Sequence, residues 1–205
     1  MDADNIIAML KQGNQRFTSG VRKYPRQNQS RIIEIAEGQN PIATILCCSD
    51  SRVAPEHIFD AGLGDLFIIR TAGNRCDDIG FGSIEYGVEH LETPVMIVMG
   101  HTRCGAITAA VQDVKVEGFI KSVIESVSKP VEMAKRNHPD SNEEDIINKA
   151  ILLNVMQAIE QFICESDIVR RKIKQNKLKI IAAIYQVETG QVEFLGEHPK
   201  QDSFL

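Results

Sequence analysis

The run Ile42-Ala43-Thr44-Ile45-Leu46-Cys47-Cys48 passes straight into Ser49-Asp50-Ser51-Arg52. It is too short for a helix and β-branched or apolar throughout, so it reads as a strand buried on both faces. Leu66 to Ile69 and Val95 to Met99 have the same character. Helical patterns lie between these runs, most clearly Ile84 to Leu91, which stops ahead of Pro94. Short buried strands alternating with helices predict an α/β fold: a mainly parallel central sheet flanked by helices.

Before this core, residues 3–18 read as a helix with Ile6, Ile7, Leu10 and Phe17 on one side, and Gln29 to Ala36 as a shorter one stopping at Gly38. Together they form a helical arm over about residues 1–37. After it, Phe119, Ile120, Val123, Ile124 and Val127 recur at helical spacing, with Pro130 ending or kinking the segment. Ser141 and Glu144 form a capping box that opens a long helix through Ile163. Ile180 to Tyr185 predicts another strand, and Glu188-Thr189-Gly190 a turn into Val192 to Leu195, a C-terminal edge strand. No repeat or Gly/Ser/Pro-rich linker divides the chain, so a single domain over residues 1–205 is expected.

Composition narrows the function classes. With 43% hydrophobic and 25% charged residues the chain is globular in type. A net charge of −5 disfavours a nucleic-acid partner. The basic cluster Arg170, Arg171, Lys172, Lys174, Lys177 and Lys179 reads as a solvated helix end. No apolar run approaches the roughly 20 residues that cross a bilayer, so no membrane partner is expected. Met1-Asp2-Ala3-Asp4 is acidic where a signal peptide is basic. Five cysteines, an odd number, then point to a reducing cytoplasmic compartment and to metal or catalytic use.

In open parallel sheets, reactive groups gather at the carboxyl ends of strands. The first strand ends in Cys47-Cys48-Ser49-Asp50-Ser51-Arg52 and the third in Gly100-His101-Thr102-Arg103-Cys104-Gly105. Two thiolates and one imidazole converging at one sheet edge make a three-ligand site with an open position, the pattern of catalytic zinc. Adjacent strand residues point to opposite faces, so only one of Cys47 and Cys48 can face the metal, and alternation does not choose between them. Cys76, in a Gly/Asp-rich loop, is a weak candidate for a fourth ligand. Asp50 can accept a hydrogen bond beside the metal, and Arg52 can hold that carboxylate away from it. Gly62-x-Gly64 and Gly80-x-Gly82 do not complete a dinucleotide fingerprint. His57, His90, His138 and His198 have no second ligand nearby.

Cys48-Ser49-Asp50-Ser51-Arg52 together with His101-x-x-Cys104-Gly105 resembles the paired signature of the β-class carbonic anhydrases. Arg70-Thr71-Ala72-Gly73-Asn74 is similar to that family's Arg-Asn-Ala-Gly-Asn stretch, with Thr71 in place of the asparagine, and Ser83-Ile84-Glu85-Tyr86 to its helix over the active site. The resemblance implies Zn²⁺ held by Cys48, His101 and Cys104, with Asp50 and Arg52 as the catalytic dyad. It selects Cys48 over Cys47, because the family's ligand directly precedes the Asp-Ser-Arg segment. Gln39, Phe67, Tyr86 and Gly105 fall where the plant-like branch binds substrate, and the first three can come from different subunits of a dimer. Gln39 and the absence of tryptophan point to that open-site branch. In the other branch the counterpart of Asp50 closes onto zinc as a fourth ligand. The implied reaction is reversible hydration of CO₂ to bicarbonate and a proton by zinc-bound hydroxide, in a homo-oligomer built from dimers. Two alternatives stand beside it: hydrolysis of COS or CS₂ on the same site, and a non-catalytic zinc sensor or scaffold.

Overall fold

The computed structural model describes residues 1–205. Five strands form one sheet: β1 (Ala43–Cys48), β2 (Leu66–Thr71), β3 (Val95–His101), β4 (Lys179–Tyr185) and β5 (Val192–Gly196), in the order β2-β1-β3-β4-β5. The pairs β1–β2, β1–β3 and β3–β4 are parallel, and only β5, on β4, is antiparallel. The helices are α1 (Ala3–Thr18), α2 (Gln29–Glu34), α3 (Pro55–Ile58), α4 (Asp78–Glu85), α5 (Gly105–Val111), α6 (Ile120–Ser126), α7 (Ser128–Asn137), α8 (Glu143–Glu165), α9 (Asp167–Lys174) and α10 (Gln201–Phe204). The expected mainly parallel sheet with a C-terminal antiparallel edge is thus the architecture of the chain.

Every residue of β1 and β3 is buried, as their uninterrupted apolar runs predict. On one face Ile45, Cys47, Ile97 and Met99 pack against Ile6 and Leu10 of α1 and Phe59 after α3. On the other, Leu46, Met96 and Val98 meet Val155, Ile159 and Phe162 of α8. Asn14, buried in α1, donates to the carbonyls of Ile58 and Gly190 and accepts from the amide of Val192, tying this helix to the β4–β5 hairpin.

Four expectations need correction. β2 is a half-buried edge strand with Arg70 exposed, because it has a neighbour on one side only. The helix expected over Ile84 to Leu91 begins earlier, at Asp78 with Asp77 as its cap, and passes into a π-helical turn over Tyr86–His90. Asn142, not Ser141, caps α8, its side chain accepting from the Asp145 amide at 2.9 Å. Glu143, Glu144 and Asp145 then place three carboxylates at the positive end of the helix dipole. Finally, the helical segment around Val123 breaks at Val127, and Pro130 lies in the first turn of the next helix, where its missing amide is harmless.

The chain leaves β1 towards β2 on one side and then crosses to β3 on the other. The carboxyl ends of β1 and β3 therefore flank a topological switch point, where open sheets leave a crevice.

Candidate metal centre

Cys48 is the last residue of β1 and His101 the last of β3, so strand pairing alone sets both at the crevice. Cys104 reaches it because the chain doubles back through Arg103, whose φ of 55° is left-handed, and enters α5 with Cys104 as N-cap. The ligating atoms of Cys48, His101 and Cys104 lie within 4.8 Å of one another. All three residues are buried, at 5%, 0% and 2% exposure. Cys47 points into the opposite core, where burial pushes its thiol up to about 12. Cys76 lies outside the cluster, and burial likewise pushes it up to about 12.

The donors fit a metal. His101 Nδ1 lies 2.8 Å from the Thr102 carbonyl, so it carries the ring proton. That leaves Nε2 as a buried lone pair with no hydrogen-bond partner. An orphaned buried nitrogen is costly unless something coordinates it, and two cysteine sulfurs lie within 4.8 Å of it as candidate co-ligands. The two thiols differ, Cys48 leaning towards the thiolate form that a metal takes and Cys104 away from it. The Cys104 side chain, His101 and the amides of Asp50 and Gly73 bring Cys48 down against its burial. Cys104 is pushed up by Cys48 and by burial, although the amides of Ile107 and Ala106 at the start of α5 face it. Thiol ligands give up their protons when they bind a metal, so affinity at this cluster depends on pH.

Asp50 sits beside this cluster, its Oδ2 4.0 Å from His101 Nε2. Arg52 binds it twice, Nε to Oδ1 and Nη2 to Oδ2, and adds its own amide to Oδ1. This pairing holds the Asp50 carboxyl well below the usual carboxylate range. Arg52 Nη2 also reaches the Arg103 carbonyl at 3.2 Å, linking the two ligand-bearing loops.

Three contributors escaped the sequence reading. Arg70, from edge strand β2, donates to the carbonyls of Cys48 and Asp50 at 3.2 and 2.7 Å, fixing the path of the first ligand loop. Gly73 sends its amide to Cys48 Sγ at 3.4 Å. Its φ of 74° favours glycine, and a Cβ there would press within 3.0 Å of Val127 Cγ1. Asn154 of α8, buried, donates to the Gly73 carbonyl at 2.8 Å. Arg70 and Gly73 stand in a stretch matched on other grounds, whereas an asparagine within a long helix carries no local signal. Thr71 has a visible role: its hydroxyl donates to the Arg75 carbonyl and closes the turn Ala72–Asn74.

The substrate-side residues are placed differently. Gly105, exposed, opens α5 beside Cys104. Phe67 and Tyr86 pack on each other, ring centroids 5.9 Å apart, with Tyr86 46% exposed. Phe67 is level with Thr44, whereas Cys48 is level with Thr71, so about 13 Å of strand separates Phe67 from the ligand end. Gln39 is exposed on the loop that precedes β1, at the far end from Cys48. One chain therefore does not bring these three residues to its own cluster.

The family model described as carbonic anhydrase matches residues 43–192, from the first residue of β1 into β5. Carbonic anhydrase 2 of Mycobacterium tuberculosis is 35% identical over 189 residues, covering 89% of this chain and 87% of that protein. The carbonic anhydrase of Mycolicibacterium smegmatis is 33% identical over 191 residues, covering 90% and 89%. Among solved structures, the β-carbonic anhydrase CcaA superposes with a TM-score of 0.74 at 26% identity, over 92% of this chain and 94% of that one. The ligand spacing, the switch-point cluster and these matches place the chain in the family of the β-carbonic anhydrases.

Proposed function

We propose that the protein catalyses the reversible hydration of CO₂ to bicarbonate and a proton, with Zn²⁺ held by Cys48, His101 and Cys104. The observation that carries this reading is the unpartnered His101 Nε2 facing two thiols, next to a carboxylate already clamped by Arg52. A bound zinc ion supplies a Lewis acid that acidifies water, so that a nucleophile for CO₂ is available near neutral pH.

The rest is the work of the chain. Two thiolates and the tautomer fixed by the Thr102 carbonyl hold the metal. Asp50, ionised because Arg52 pairs with it, accepts a hydrogen bond from the attacking water and orients it. Arg52 keeps that carboxylate from swinging onto the metal as a fourth ligand, which leaves the site open. The Gly105 amide, at the positive end of α5, faces negative charge growing on a CO₂ oxygen. Gln39, Phe67 and Tyr86 serve as substrate lining from a second copy, since their own cluster lies a strand length away. The working form is accordingly a homo-oligomer whose sites straddle two chains. No helix is long and apolar enough to cross a membrane, which is consistent with a cytoplasmic enzyme.

The deciding experiment is stopped-flow CO₂ hydration on protein of measured zinc content, with COS and CS₂ turnover beside it. CO₂ hydration proportional to zinc supports the reading. Faster turnover of COS or CS₂ reassigns the substrate, and full zinc with no turnover from pH 7 to 9 makes the protein a zinc scaffold.

A further inference from the structure

Asn154 is 1% exposed, midway along α8, far in sequence from every ligand. Its Nδ2 donates to the Gly73 carbonyl at 2.8 Å and lies 3.2 Å from Asn74 Oδ1. Both contacts land on the turn Ala72–Asn74, where Gly73 and Asn74 hold left-handed φ values of 74° and 44°. Glycine adopts that conformation freely, but Asn74 holds it only because its surroundings fix it. Here Thr71 ties the turn from outside and Asn154 ties it from beneath. The part of the turn facing the cluster is the Gly73 amide, which donates to Cys48 Sγ. The amide orientation of Asn154 is settled by its neighbours, because a flipped side chain would set oxygen against the Gly73 carbonyl.

We propose that Asn154 is a positioning residue for the metal centre: by gripping the Gly73 carbonyl it keeps the Gly73 amide on the Cys48 sulfur and so sets how strongly that sulfur donates to the metal. An N–H bond to a thiolate withdraws charge from the sulfur. The metal then stays more electrophilic, and the ligand stays oriented when the metal is absent. Without the Asn154 amide the turn loses its only side-chain donor from α8, and the Gly73 peptide is free to rotate away. The proposal rests on the reading of Cys48, His101 and Cys104 as ligands.

The test uses cobalt-substituted full-length protein, whose sulfur-to-cobalt charge-transfer bands report sulfur donor strength independently of turnover. Asn154→Leu removes the donor at similar volume, and Asn154→Ser leaves room for water if the leucine variant does not fold. Gln161→Leu is the control: Gln161 lies on the same helix and accepts from Arg75 at 2.7 Å, but it does not touch the turn. The Asn154 variants are expected to move the band to lower energy and to lose metal to a chelator about tenfold faster, while Gln161→Leu shifts neither. Unchanged bands and loss rates in the Asn154 variants, or an equal shift in Gln161→Leu, overturn the proposal. A wild-type protein with no charge-transfer band removes the ligand assignment itself.

Discussion

Arg52 meets Asp50 side on, two guanidinium nitrogens against two carboxylate oxygens at 2.9 and 2.8 Å, while Asp50 Oδ2 stays 4.0 Å from His101 Nε2. The carboxylate thus borders the Cys48–His101–Cys104 cluster while both its oxygens are engaged by Arg52. Arg52→Ala releases it. An unopposed negative charge beside the site raises the pKa of the activated water, so the loss is greatest near neutral pH. Stopped-flow CO₂ hydration is expected to fall about 10- to 100-fold at pH 7 and less at pH 9. A parallel drop at every pH would remove this role from Arg52.

Two thiolates cancel the formal charge of a zinc dication, whereas three imidazoles would leave it at +2. A less positive centre acidifies its water less than the roughly pH 7 value of three-histidine sites. Hydration by the wild-type enzyme is therefore expected to climb between pH 6.5 and 9. A flat profile over that range would contradict the charge argument.

Cys47 and Cys48 are neighbours with opposite duties. Cys48→Ala is expected to purify without zinc, because one of three ligands is gone. Cys47→Ala keeps full zinc and loses about 1 kcal/mol of stability from the small cavity it leaves. Elemental analysis beside thermal melts checks both halves.

The separation of Gln39, Phe67 and Tyr86 from their own cluster is testable by mixing. Cys48→Ala and Tyr86→Ala chains, each weak or inactive alone, are co-refolded. If sites straddle a two-fold interface, random pairing restores about a quarter of wild-type activity. Additive residual activity only would show that each chain completes its own site.

Asp60, 4% exposed, accepts from Arg16 Nε at 2.6 Å and from the amides of Lys23 and Tyr24 at 2.9 and 3.0 Å. Burial pushes its carboxyl up, and these donors more than reverse the effect, leaving it below the usual range. A depressed native value stabilises the fold above the unfolded value near 3.9 and ceases to do so as pH falls through the native value. Asp60→Asn is expected to lower stability by about 2 kcal/mol at pH 7. The difference from wild type narrows below pH 4 in denaturant titrations.

The strands and the Cys48–His101–Cys104 cluster were legible because both leave local marks. An uninterrupted apolar run signals a doubly buried strand, and ligand residue types recur where such runs end. The choice between Cys47 and Cys48 was not legible from periodicity, since alternation shows that they diverge but not which face holds the metal. That face is set by α5 and α8, which lie later in the chain. The edge position of β2 follows from strand order, which depends on contacts between distant segments. Asn154 was illegible for the same reason: its partner Gly73 is 81 residues away.

The Cys48 sulfur rests on a main-chain donor, the Gly73 amide at 3.4 Å. A main-chain donor belongs to the path of the backbone and not to any side chain. To transplant this centre into another scaffold, a designer would have to copy the course of the peptide chain through Gly73, because copying the three side chains alone would leave the Cys48 sulfur bare.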